Sequence, residues 1–119
     1  MKIYNGTPHS INVVEGATFD GAIRKWTGGH VVLSIPSDGM LNAVIKTADG
    51  PTLEGGIPTF RKQVVGCDPL PEGYDVYVVS LMYASAHGQT QHGNLYTVAD
   101  PVMSDDGRTF VGCRGLQQY

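Results

Sequence analysis

Three cations stand where a phosphate can be gripped: Arg61 and Lys62 after Phe60, and Arg114 between Cys113 and Gly115. Arginine meets a phosphate with a planar fork of donors, lysine with a compact point charge. Trp26, Phe60, Tyr83 and Tyr96 offer rings on which a base can stack. Asn5, Thr7, Ser80, Ser85, Thr90 and Asn94 offer neutral donors and acceptors of the kind that read ribose and base edges. Each also has a plain structural use, the rings as core packing and the arginines as solvated or sheet-edge charges. Taken together the set suits binding rather than bond cleavage.

One stretch could position several of them. Asp75 to Val79 alternates polar and apolar and then turns β-branched, as a strand does. Ser80 follows as a candidate N-cap for a helix through Leu81, Met82, Tyr83, Ala84 and Ala86. A helix start beside a strand end collects unpaired N–H donors, which suits phosphate or carboxylate. A core strand with a packed helix is the plainer reading of the same residues.

Catalytic and metal patterns are absent from the sequence. The histidines are His9, His30, His87 and His92, and the last two lack the i,i+4 spacing of a helical metal pair. Asp105-Asp106 precedes Gly107 and reads as a type I′ or related turn rather than an acid–base pair. No phosphate-loop or dinucleotide glycine fingerprint is present, and Gly28-Gly29 and Gly55-Gly56 are isolated pairs. Cys67 and Cys113 belong to no CxxC or Cys/His pattern and read as small core residues, though Arg114 could lower the Cys113 thiol pKa. Two cysteines are too few for a disulfide framework, which points to reduced cytosol.

With 119 residues the chain is one domain, long enough to bury its own core. Its net charge of −3 lacks the footprint of a duplex-DNA binder or of an anionic-membrane binder. No signal-peptide core follows the Met-Lys-Ile-Tyr start, and no apolar run is long enough to span a bilayer. Charged residues are only 16% of the composition, which leaves uncharged surface suited to self-association.

Sixteen glycines and seven prolines cut the chain into short strands. Strands are expected over residues 2–5, 10–14, 30–35, 41–47, 60–65, 75–79, 95–99 and 109–113, with a loop over 89–93. Residues 18–26 are ambiguous, because Phe19, Ile23 and Trp26 have helical spacing but Gly21 lies inside. The expected class is α+β, a largely antiparallel sheet with one or two short helices in a single domain.

Three segments carry a resemblance that spans nearly the whole chain. They are Met1-Lys-Ile-Tyr-Asn5-Gly-Thr7-Pro8-His9-Ser-Ile11-Asn12, then Leu70-Pro71-Glu72-Gly73-Tyr-Asp-Val-Tyr77-Val-Val-Ser80, then Asp106-Gly107-Arg108-Thr-Phe-Val111-Gly112-Cys-Arg114-Gly115. In order and spacing they resemble short phage and prophage proteins whose characterised members are the anti-Thoeris sponges, the Thoeris anti-defence protein 1 family. The resemblance implies a non-enzymatic protein of the host bacterial cytoplasm, without a cofactor. It would bind a cyclic ADP-ribose-type signal nucleotide without cleaving it and so block the Thoeris effector.

By the same resemblance the ligand residues are Asn5, Thr7, His9, Ser80, Met82, Tyr83, Asn94 and Arg114. Arg114 would lie on the pyrophosphate, in one pocket with Met82 or Tyr83 against the adenine. Met82 departs from the aromatic base-stacker expected at its position, which bears on ligand preference. A second site for cyclic trinucleotides would use Gly55, Gly56, Arg61 and Lys62, in a homo-oligomer between dimer and hexamer. Two rival readings are a nucleotide or cyclic-nucleotide hydrolase with His9 or His87 as acid–base, and a phage structural accessory protein.

Overall fold

The computed structural model describes residues 1–87 and 94–119, so the expected 89–93 loop, with Thr90 and His92, lies outside the described residues. Among the described residues there are ten strands and one helix. They are β1 (Ile3–Asn5), β2 (Ile11–Glu15), β3 (Thr18–Asp20), β4 (Lys25–Thr27), β5 (His30–Ile35), β6 (Ala43–Asp49), β7 (Phe60–Cys67), β8 (Val76–Val78), α1 (Leu81–His87), β9 (Leu95–Met103) and β10 (Phe110–Gln118).

The main sheet runs β1-β8-β9-β10-β2-β5, and β4 joins it along β9 with β3 outside. β9 is its spine. One edge of β9 pairs antiparallel with β10, while the other is shared by β8 at Leu95 and Tyr96 and by β4 at Val102 and Met103. Asp100, in the left-handed region at φ 52, stands between those two stretches.

The sheet is mixed, so the largely antiparallel expectation holds in part: β9–β10, β2–β5, β3–β4 and the β6–β7 pair are antiparallel. β1–β8, β8–β9, β4–β9 and β10–β2 are parallel. Parallel neighbours require a connection that crosses over, and a local reading of alternation and turns cannot detect it. Residues 18–26 resolve as the β3–β4 hairpin, with Phe19 edge-on to Trp26 across it. The apparent helical spacing was two strand rings meeting across a turn.

The core lies where α1 packs on β8 and β9, through Leu41, Tyr77, Val79, Tyr83, Ala84 and Leu95. A smaller cluster of Ile11, Val78 and Cys113 fills the other side of β8. Cys113 is buried and its thiol pKa is pushed up by burial, which fits the small core residue read from the sequence and not the alternative of a thiol lowered by Arg114.

Between these clusters the amide of Asn5 is fully buried. Its Nδ2 donates to the carbonyls of His9 and Ile35, each at 3.0 Å. Its Oδ1 accepts from the Thr7 N–H at 3.0 Å and from the Thr7 hydroxyl at 2.6 Å. Asn5 therefore ties β1, the 6–9 loop and the end of β5 together, and nothing of its side chain is left for a ligand.

β6 and β7 form a separate two-stranded antiparallel ribbon, packed on the body through α1. The radius of gyration is 17.5 Å, against about 13–14 Å for a compact chain of this length. Accessible surface is 7830 Å², against roughly 6,200 Å² for a compact monomer of this mass. The molecule is flat, about 50 × 43 × 20 Å.

The β9–β10 hairpin closes with Gly107 N–H donating to the Ser104 carbonyl at 2.7 Å. Gly107 has φ 72, whereas Asp105 and Asp106 are not in the left-handed region, so the turn is type I followed by a left-handed glycine, not type I′. Asp106 accepts from the Ser104 hydroxyl and from the Arg108 N–H, and these contacts hold its carboxyl below the usual aspartate value.

Two expected outcomes follow from these contacts. Asn5→Ala removes the amide from the Thr7 N–H and the Ile35 carbonyl and leaves the His9 carbonyl only the Thr7 hydroxyl, so urea unfolding should show a loss of about 3 kcal/mol. A loss within 0.5 kcal/mol, on the order of a surface substitution, would show that the network is not a constraint. For Asp106 the folded pKa is depressed, so its contribution is present above the ordinary value and lost as pH falls through the lowered one. Unfolding scans from about pH 5 to 2 should therefore show a steeper acid loss for the wild type than for Asp106→Asn.

Candidate functional site

α1 spans Leu81–His87, and Ser80 starts it. Ser80 is the cap expected from the sequence: its hydroxyl accepts from the Tyr83 N–H at 3.1 Å. A seven-residue helix develops little dipole, and its capped first turn is a weak anion site. Helical spacing then splits the two ligand candidates. Tyr83 and Ala84 face inward and are fully buried, while Leu81 and Met82 are 64% and 56% exposed.

The Tyr83 ring stacks on His87, and its hydroxyl donates to the Asp68 carbonyl at 2.5 Å. Burial pushes the phenol pKa up to about 12. Tyr83 is thus a core residue, and of the two only Met82 is free to meet a base.

Met82 lines a groove of about 400 Å³ between α1 and the ribbon, with Leu81, Ser85, Ile45, Val64 and Lys62. The ribbon register explains which side chains reach it. Ile45 pairs with Val64, Thr47 with Lys62 and Asp49 with Phe60, and paired residues share a face. Lys46 with Gln63 and Ala48 with Arg61 lie on the opposite face. Adjacent in sequence, Arg61 and Lys62 therefore point to opposite sides, and the second site expected to use both is divided. Gly55 and Gly56 form the left-handed tip of the ribbon, at φ 88 and 79, beside the Leu53–Ile57 bridge.

Arg114 is elsewhere. Its guanidinium lies 3.9 Å from the centroid of the Trp26 ring, and Nη1 is 3.0 Å from Asp100 Oδ2. It borders a shallow depression with Glu15, Gly16, Ala17 and Val32. Within one chain Arg114 and the Ser80–Tyr83 junction do not share a pocket, which corrects that expectation. Arg114 lies on β10 between Cys113 and Gly115, opposite the Ala99–Pro101 stretch of β9 where Asp100 stands.

Thr7 and His9 line a different cavity, beside Ile11, Val98, Phe110 and Cys113. The Thr7 hydroxyl is held within the Asn5 network and the His9 side chain is exposed. Asn94 borders a fourth depression with Pro69, Leu70, Glu72, Tyr77 and His87. Among the described residues its buried Oδ1 has no hydrogen-bond partner, a costly arrangement that a further donor would relieve.

The eight expected ligand residues are thus dispersed, and the groove by Met82 gains a cation, Lys62, that had been assigned to the other site. The alternation of Gln63 and Val64 with Lys62 was the signal that could have placed it. Among the described residues no cluster of three or more His, Cys, Asp or Glu could hold a metal ion. No family model, curated protein or solved structure matches the chain.

The burial pattern separates the two neighbours in a melting experiment. Tyr83→Ala should destabilise by about 3–5 kcal/mol, as truncation of a buried aromatic does. Met82→Ala should stay within roughly 0.5 kcal/mol of the wild type, since its side chain is largely exposed. Equal losses for the two would contradict the helix orientation.

Proposed function

We propose that the chain sequesters a phosphate-bearing signal nucleotide of the cyclic ADP-ribose class without cleaving it, acting in the host bacterial cytoplasm against Thoeris signalling. The observation that carries this reading is the groove between α1 and the ribbon. It combines an apolar floor and wall from Met82, Leu81, Ile45 and Val64 with one cation, Lys62, and one hydroxyl residue, Ser85. An apolar slot takes a base, and a cation at its rim takes a phosphate. The resemblance of the opening, middle and closing segments to anti-Thoeris sponges supplies the ligand class.

Homo-oligomerisation belongs to the same reading. The surface in excess of a compact monomer is about 1,600 Å², comparable with what one subunit of a large permanent interface buries. Exposed apolar residues run along the ribbon at Val44, Phe60, Val64 and Val65, and along β5 at Val31, Val32 and Leu33. An isolated two-stranded ribbon is marginal in water, so a second copy covering it supports the fold as well. Assembly could also bring an Arg114 from one copy toward the groove of another. Arg61 and Lys46, on the opposite ribbon face, are the candidates for a cyclic-trinucleotide site.

Light scattering at micromolar concentration should give a dimer or larger, and a monomer would remove the assembly part. Calorimetry with a cyclic ADP-ribose isomer should show binding that Lys62→Ala weakens by about one to two decades, the worth of one charge-assisted contact. Arg61→Ala should spare that ligand and abolish trinucleotide binding. Heat denaturation of the complex should return the ligand intact. Altered ligand would favour the hydrolase, and no thermal shift with any nucleotide would favour the structural accessory protein.

A further inference from the structure

β2 and β10 run parallel yet are bridged at one point, Cys113 with Val13. At that bridge they are pressed together, because a Cβ on Gly112 would lie 2.6 Å from the Asn12 carbonyl oxygen and 2.7 Å from a Val14 methyl. On the N-terminal side of the bridge β2 and β10 have no further paired residues among those described. A bulge in β10 between Phe110 and Gly112 breaks its register with β9, and such a bulge bends the strand and re-aims its side chains. The opposite lip, the Thr7–His9 segment, is fixed by the Asn5 amide.

The gap is a cavity of about 190 Å³. Ile11 and Cys113 are buried at its base, and Phe110, 58% exposed, and His9 stand among its lining residues. No lysine, arginine, aspartate or glutamate lines it; beside the apolar residues its lining has the neutral groups of Thr7, Ser10 and Asn12 and one imidazole, His9, which suits a neutral ligand better than a phosphate or an ammonium ion. An apolar cavity of about 150 Å³ suffices to hold a benzene ring. Phe110 offers an exposed ring against which a second ring can lie offset or edge-on.

We infer that this cavity is a binding site for a small molecule bearing one neutral aromatic ring, single or fused, separate from the groove by Lys62. The walls are held from both sides before a ligand arrives, by Gly112 against β2 and by Asn5 behind His9. A rigid apolar wall selects by ring size and neutrality rather than by charge.

The test is a titration of the full chain with indole, followed by amide shifts in a ¹H–¹⁵N spectrum. Saturable shifts confined to Ser10, Ile11, Gly112, Cys113 and their neighbours are expected, and inorganic phosphate should produce none there. Val98→Phe places a ring inside the cavity and should abolish the indole shifts. Phe110→Ala, at an exposed position that leaves the fold intact, should weaken binding about three- to tenfold. Lys62→Ala should leave the indole shifts unchanged, so failure of the nucleotide reading and failure of this one are distinguishable. Absence of saturable shifts up to indole's solubility, or unaltered binding in Phe110→Ala, overturns the inference. Binding retained by a folded Val98→Phe does the same.

Discussion

The buried amide of Asn5 is the constraint on which the other elements depend. A primary amide has two donors and an acceptor with two lone pairs, and here all are engaged by backbone or by Thr7. The main chain of Asn5 adds two bonds to Asp38: its N–H donates to Oδ2 and its carbonyl accepts from the Asp38 N–H, both at 2.9 Å. Gly6 then continues the chain along Val78, with N–H to carbonyl at 2.8 Å. One side chain thereby sets where β1, β5 and the 37–41 segment meet. Because an unpaired buried amide is costly, the segments must arrive together or not at all. Polar specificity, rather than added apolar area, holds this half of the molecule in register.

That arrangement explains why the topology is mixed. Asn5 ends a strand lying parallel to β8, while Ile35, which accepts from its amide, ends a strand antiparallel to β2. β10 then joins the halves, parallel to β2 and antiparallel to β9. Local patterning shows a strand and its two faces but carries no information on which distant strand lies alongside. Strand existence was therefore legible at nearly every site expected, including β8 within the expected 75–79, and so was the Ser80 cap. Strand direction was legible only in part, at the antiparallel pairs.

The candidate site was legible in a similar, uneven way. Single residues stand where a ligand can reach them: Met82 is exposed, Lys62 lies beside an apolar wall, and among the described residues the Asn94 Oδ1 has no partner. Their grouping was read poorly. Arg61 and Lys62 look like one basic patch in sequence, yet a strand sends neighbours to opposite faces. Met82 and Tyr83 look interchangeable in sequence, yet 100° around a helix separates surface from core. Asn5 looked like a ligand donor because a fully satisfied buried amide and a free surface one are spelled identically. Arg114 was placed by analogy with a pocket, whereas Trp26 and Asp100, its actual neighbours, come together only through β4 and β9.

The molecule thus has two mechanical regimes, and each favours a different kind of recognition. The half around Asn5 and Gly112 is close-packed, with its backbone donors and acceptors fixed, and any cavity there must be matched by shape. The half formed by α1 and the β6–β7 ribbon is loosely anchored: both ribbon faces are largely wet, and a seven-residue helix is its support. Such a unit opens at low free-energy cost, so a ligand or a second copy that bridges ribbon and helix also stabilises the fold. On the proposed reading, a charged, multi-contact nucleotide would match the second regime by reaching Lys62 on the ribbon and Met82 on the helix at once. Its release would then require breaking contacts on both walls, which favours slow dissociation, the property sequestration needs and turnover does not.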